Sequence, residues 1–332
     1  MQRLIAHSIC LILVVSAKSA AAPAFEHYVA GNPANVETAT AGLVVMQGGG
    51  TDVDTNYTRM GEAAGGGDFL VLRASGADEY NDYVLALCAC DSVETIVFHD
   101  RTAAYDPFVI ATIRRAEALF IAGGDQSRYV RFWKDTPAED AINGVASRPA
   151  PVGGTSAGMA VLGEFVYSAM SDASLSAEVA LADPFHEDVT LAHGFLATPR
   201  LAGVITDQHL KERDRIGRTV VLLARLRHDG LASAPRAIAA DRETALHIDP
   251  ATGRAEVLAT PHHETPFVYF LRAREAPAVC EPGTPLTLHG VEVYRIGPGG
   301  TFDLEAWTGT GGIAYTLDVE RGVLSSSRDK VY

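Results

Sequence analysis

The chain has 332 residues, 47% of them hydrophobic and 20% charged, enough apolar material for a full core in one large domain or two modest ones. That balance excludes an intrinsically disordered protein. With 41 Asp and Glu against 27 Lys and Arg the formal net charge is −14, which argues against nucleic acid as a partner and favours a cationic one.

The first 22 residues read as a leader. Arg3 is followed by the apolar run 9–15 and then by Ala20-Ala21-Ala22, the layout of a secretory signal peptide; Pro23 disfavours a cut after Ala22 and puts it near Ala21. The run is well short of the ~20 apolar residues that span a bilayer, so no membrane attachment is expected after cleavage. A periplasmic or secreted protein is the expectation. Cys10 leaves with the leader, and Cys88, Cys90 and Cys280 then allow one disulfide and one leftover thiol, without the spacing deciding which pair forms.

Residues 43–46, 69–72, 95–98 and 118–121 are short apolar runs, alternating with stretches of helical period such as 80–87 and 107–116. Alternation of this kind predicts an α/β fold with a mostly parallel sheet flanked by helices. A further strand at 150–153 leads into Gly154-Thr155-Ser156-Ala157-Gly158. This is G-x-S-x-G, a sharp strand-to-helix turn that pushes a nucleophilic serine out at the carboxyl end of a strand, where open sheets place their ligands.

Downstream, 204–206 reads as a strand and 210–227 as a long helix with Ile216, Val220, Leu223 and Ala224 on one apolar face. Later strands are expected at 237–240, 245–248 and 268–271. From Pro282 onward, turns such as GPGG and TGTGG punctuate β-type runs at 291–296 and 314–319. Residues 281–332 are therefore read as a β-rich extension packed on the main sheet, since about 50 residues rarely hold a core alone. Residues 23–332 are expected to form a single catalytic domain.

An activated serine needs a base, a group that orients the base, and donors for the developing oxyanion. Among 11 histidines, His209 differs from the rest. It closes the strand 204–206 and opens the helix, in a run that also holds Asp207, Gln208, Arg213, Arg215 and Arg218. The plain alternative is a helix capped by Asp207 with a solvated basic face. A second polar run, FIAGGDQ, ends another strand, where Gly123 and Gly124 let the backbone approach a ligand that Gln126 can reach. His262-His263-Glu264 looks metal-like, but no second cluster completes it, and no metal or other cofactor is expected.

In order and spacing, GGDQ at 123–126, GGTSAG at 153–158 and DQHLKERDRIGR at 207–218 resemble cyanophycinase, within the serine peptidase family that also contains dipeptidase E. The resemblance covers about 43–248, and the leader and β-rich extension resemble the exported members. It implies a fold like that of class I glutamine amidotransferases, with Ser156 as nucleophile, His209 as general base and an oxyanion hole of backbone N–H groups near Gly124 and Ala157. Gln126, Asp207, Gln208, Arg213, Arg215 and Arg218 match positions lining the substrate pocket. The implied substrate is cyanophycin, a poly-aspartate bearing arginines on its β-carboxyls, cut into β-Asp-Arg dipeptides. Arginines in such a pocket can grip a carboxylate, and Asp207 with Gln126 can receive the substrate guanidinium.

One position departs from the family's D-E-x-T-A-L-like run, which carries the triad acid. This chain has Asp241-Arg242-Glu243-Thr244-Ala245-Leu246, with Arg242 where the acid is expected. Glu243, one place later, is the expected third triad member and Asp241 the alternative, although a one-residue shift along a strand reverses the facing of a side chain. Competing readings are an aspartyl or isoaspartyl dipeptidase of the same family, a peptide-binding protein that kept the fold and lost the acid, and an α/β-hydrolase esterase. The esterase would need a late histidine after the acid, from among His247, His262, His263 and His289. The expected partner is cyanophycin or a related β-Asp-Arg peptide, and a homodimer is left open.

Overall fold

The computed structural model describes residues 22–171, 173–264 and 266–332, so the expected leader and the expected cut near Ala21 lie outside the described residues. Five parallel strands form the heart of a ten-stranded sheet, in the spatial order Ser92–Phe98, Asp68–Arg73, Ala118–Ile121, Pro151–Thr155 and Leu43–Gln47. Both faces of these strands are covered, which is why they read as continuous apolar runs rather than as alternating ones. On one face Val45, Phe69, Val71 and Phe120 pack with Tyr57, Met60 and Val84 from helices Asp54–Ala63 and Asn81–Cys88. On the other, Met46, Leu70, Leu72 and Ile121 meet helices Pro107–Arg115, Gln126–Trp133 and Pro137–Ala146. Helix starts follow local chemistry: the Asp106 and Asp125 carboxylates accept N–H groups of Phe108 and Ser127, and Pro107 occupies the first turn.

The next strands expected from the sequence, at 204–206 and 237–240, do not extend this sheet. Val204–Gln208 and Arg236–Ala240 pair in parallel within a second, eight-stranded sheet, to which Val268–Arg272, Leu288–Ile296, Ile313–Glu320 and Val323–Ser326 add antiparallel. The chain crosses between sheets at residues 241–243, then runs as Thr244–Ile248 antiparallel to Leu43–Gln47. The β-rich extension contributes to both sheets, since Thr301–Asp303 and Thr308–Thr310 lengthen the first one beyond Arg254–Ala259. The ring of Phe302 stacks on Phe270 of the second sheet at 3.6 Å and takes Trp307 edge-on, joining the two sheets through aromatic packing.

One expected element is shorter. The helix read at 210–227 begins only at Ile216 and runs Ile216–His228. His209 and Asp214 both sit at left-handed backbone angles, φ 49° and 48°, which breaks the helical course, and the charged residues 211–214 between them are exposed. Asp207 therefore does not cap this helix. Cys88 and Cys90 form a disulfide, and Cys280 is buried and free.

Candidate active site

Ser156 follows strand Pro151–Thr155 directly and precedes the short helix Ala157–Ala160. Its backbone lies at φ 52°, ψ −116°, a conformation costly for a residue with a side chain and retained where surrounding contacts enforce it. Those contacts are its N–H to Gln47 O at 3.0 Å and its carbonyl to the Ala160 N–H at 3.0 Å. Gly158 is needed for close approach: a Cβ there would stand 2.0 Å from Ile121 O. The turn is thus fixed between two neighbouring strands, with the serine side chain projecting from their carboxyl ends.

His209 arrives from the second sheet, at the end of strand Val204–Gln208, and its Nε2 lies 3.0 Å from Ser156 Oγ. Its N–H donates to Gly48 O at 2.9 Å. Gly49, at φ 94°, passes so close to the imidazole that a Cβ would meet Nε2 at 2.3 Å. The run Gly48-Gly49-Gly50 after strand Leu43–Gln47 is therefore part of the site, and a glycine triplet at the carboxyl end of a strand was the signal available for it in the sequence. Burial, then the charges of Arg213, Arg215 and Arg242, push the imidazole down from 6.5 to about 4, with Asp207 opposing.

Among the described residues, no hydrogen bond or ion pair joins either candidate acid to His209. Residues 241–243 form the tight turn between sheets and not a strand, so the alternation of strand side chains does not apply to them. Gly49 lies against His209, while Gly50 lies against Arg242 and Glu243. The Glu243 carboxylate accepts the hydroxyls of Thr51 at 3.1 Å and Thr260 at 3.4 Å and pairs with Arg242 Nε at 3.4 Å. Burial raises its pKa, but these hydrogen bonds and Arg242 outweigh that and hold it below the usual value. Asp241 is fully buried, accepts the Lys211 N–H at 3.1 Å and faces the Tyr269 hydroxyl at 3.5 Å. Burial, reinforced by Glu212, pushes it up to about 7.

Beside Ser156 opens a cavity of about 280 Å³ lined by Gly124, Asp125, Gln126, Tyr167, Gln208 and the three arginines 213, 215 and 218, among others. The arginines are not equivalent. Arg218 is 1% exposed and forked onto Asp207, with Nε 3.0 Å from Oδ2 and a second short contact to Oδ1, and its guanidinium lies 4.8 Å from the centre of the Tyr167 ring. The Thr219 hydroxyl and the Gln208 N–H, both at 2.8 Å, complete the Asp207 carboxylate. Burial works against that carboxylate, and Arg218 more than offsets it, lowering its pKa. Asp207 is thus consumed inside the protein and not open to a ligand guanidinium. The carboxylate on the cavity wall is Asp125, half-exposed beside Gln126.

Arg215 is buried, with Nη1 on Gln208 O at 2.8 Å and Gln208 Oε1 at 2.6 Å, and burial followed by the charge of Arg218 lowers it to about 10. Arg213 is exposed, and its side chain makes no hydrogen bond or ion pair among the described residues. With Arg218 neutralised by Asp207, Arg213 and Arg215 leave the cavity positive, a setting for a carboxylate. Opposite them, the Gly123 carbonyl accepts the buried Tyr129 hydroxyl at 3.0 Å. In a trans peptide the following N–H points the other way, so the Gly124 N–H faces away from Tyr129.

No family model matches the chain. In sequence it is similar to the cyanophycinase of Trichormus variabilis, 29% identical over 135 residues, which are 40% of this chain and 42% of that protein. It is also similar to the cyanophycinase of Synechococcus elongatus, 33% identical over 129 residues, 39% of this chain and 37% of the other. The chain thus spans about two fifths of the length of these relatives. In structure it is similar to a peptidase from an acI-B1 Actinobacterium, with a TM-score of 0.53 and 16% identity over 80% of this chain and 98% of that one. The likeness in sequence supports a peptidase family, and the likeness in structure is one of fold: α/β with a β-rich extension.

Proposed function

We propose that this chain is a serine-type peptidase of the cyanophycinase kind, exported after removal of its leader, which hydrolyses cyanophycin or a related β-Asp-Arg peptide. The observation that carries the reading is the 3.0 Å pairing of Ser156 Oγ with His209 Nε2 at the mouth of an arginine-lined cavity. Ser156 Oγ attacks the scissile carbonyl while His209 Nε2 takes its proton. The oxyanion is received by the N–H groups of Gly124 and of Ala157, the latter at the first position of its helix and so without an intrahelical acceptor. Protonated His209 then gives its proton to the leaving amine. Water, deprotonated by the same imidazole, releases the acyl group from Ser156.

The cavity is at the small end for a ligand pocket, which suits one charged substituent. Arg213 and Arg215 grip a carboxylate of the substrate, and the substrate's guanidinium goes to Asp125 and Gln126 rather than to Asp207. An aspartyl or isoaspartyl dipeptidase would use the same positive cavity. The absence of a carboxylate on the far side of His209, among the described residues, favours a second reading, a peptide-binding protein without turnover. Incubation with cyanophycin and with β-Asp-Arg and α-Asp peptides separates these: release of β-Asp-Arg dipeptide supports the proposal, cleavage of α-aspartyl dipeptides alone supports the dipeptidase, and binding with no product supports the third.

A further inference from the structure

His209 has no hydrogen-bonded carboxylate among the described residues, so its placement falls to backbone: its own N–H on Gly48 O at 2.9 Å, and its carbonyl, which accepts the Arg213 N–H at 3.2 Å, tying it to the loop 210–215 that follows. From the protein side this loop is held by the Leu210 N–H on Ala240 O at 3.2 Å and the Lys211 N–H on Asp241 Oδ1 at 3.1 Å. From the outer side one side chain of the β-rich extension reaches it. The Tyr332 hydroxyl donates to Asp214 Oδ1 at 2.8 Å, stands 3.4 Å from Leu210 O and accepts the Ile216 N–H at 3.2 Å. The helix Ile216–His228 needs that acceptor, because Arg215 at its start offers no side-chain cap. Asp214 needs its bond as well, since its left-handed backbone is unfavourable for a non-glycine residue.

Tyr332 is itself fixed. Its ring meets Tyr269 edge-on at 6.3 Å, the Tyr269 hydroxyl faces Asp241, and the neighbouring Val331 carbonyl accepts the Tyr315 hydroxyl at 2.8 Å. The extension therefore braces one end of the loop whose other end is His209 and which also carries Arg213 and Arg215. We propose that Tyr332 is a positioning residue that sets the reach of His209 to Ser156 and the stance of the cavity arginines. This rests on the catalytic reading above.

The test is Tyr332→Phe, which removes the hydroxyl and keeps the ring on Tyr269, with Asp214→Ala as the same cut made from the loop side. Three quantities are read: the rate at which a fluorophosphonate labels Ser156, amide exchange of residues 210–216, and the melting temperature. Both variants are expected to label about tenfold more slowly, the scale of one lost hydrogen bond to a charged group, and to exchange faster at 210–216. Melting is expected to fall by no more than about 3 °C. Wild-type labelling in both variants overturns the proposal, whether or not exchange changes, because Tyr332 would then be structural only. A wild-type protein that is not labelled at all contradicts the catalytic reading instead, and the exchange data still decide whether Tyr332 holds the loop.

Discussion

The two flanks of Ser156 are built differently. On the cavity side every buried charge has a partner: Arg218 is forked onto Asp207, Arg215 is held by Gln208, and Tyr167 lies under the Arg218 guanidinium. On the base side, His209 touches Ser156 and a glycine turn, and the two acids nearest in sequence to the expected position face elsewhere. The cavity wall is thus preorganised by side chains, whereas His209 is placed by backbone hydrogen bonds, and burial together with nearby arginine charge disfavours its protonation. A carboxylate bound in the cavity would offset that charge, so under the proposed function the substrate would supply the electrostatic part of what a triad acid otherwise provides.

The largest effect expected is from Ser156→Ala, a loss of at least ~10³-fold in kcat with unchanged denaturant unfolding, because only a small turn hydroxyl is removed. Arg218→Ala is expected to act on the fold, leaving Asp207 buried and unpaired at a cost of about 3–5 kcal/mol in unfolding free energy. If that variant keeps its stability and loses only substrate use, the pair belongs to binding and the contrast between the flanks collapses. Arg213→Ala should do the opposite, raising KM about tenfold with no change in stability, as for a lost charge-assisted contact to substrate.

The pH profile sharpens the same contrast. In the proposed mechanism neutral His209 is the base, so kcat/KM, which reports the free enzyme, should fall only as pH drops through about 4, well below the ordinary 6.5. Arg213→Ala removes positive charge, favours protonation and should move that limb upward. The limb in kcat, which reports the complex, should lie higher than that in kcat/KM if a substrate carboxylate enters the cavity. A limb near 6.5 in all three profiles would mean that neither burial nor the arginines act on His209, and a limb that Arg213→Ala leaves unmoved would clear Arg213 alone. The smallest effect is expected from Glu243→Gln, under about threefold in kcat, since its contacts are partly exposed hydroxyls and an exposed arginine. A loss of ~10²-fold there would make Glu243 the orienting acid after all.

Much of this was legible in the sequence. The parallel strands could be read because burial on both faces leaves uninterrupted apolar runs, and Ser156 because its turn demands small neighbours. His209 stood out by the density of polar residues after a buried strand. What the sequence hid depends on pairing across distance. Nothing local says that Asp207 serves Arg218, that the strands Val204–Gln208 and Arg236–Ala240 belong to a second sheet while Thr244–Ile248 returns to the first, or that Asp241-Arg242-Glu243 is a turn. The helix start was misplaced because the charged run 211–215 is compatible with the solvated face of a helix, while Asp214 takes a left-handed backbone that composition cannot register. The Gly48–Gly50 turn and Tyr332 were missed for the same reason: each acts on a residue more than a hundred positions away.

Mass analysis of the products formed from cyanophycin, run side by side for the wild-type protein and Ser156→Ala, tests the central claim most directly. The account predicts β-Asp-Arg dipeptide from the wild type and none from the variant, with both proteins folded. Product appearing equally with Ser156→Ala, or no product from a wild-type protein that binds the polymer, would contradict it.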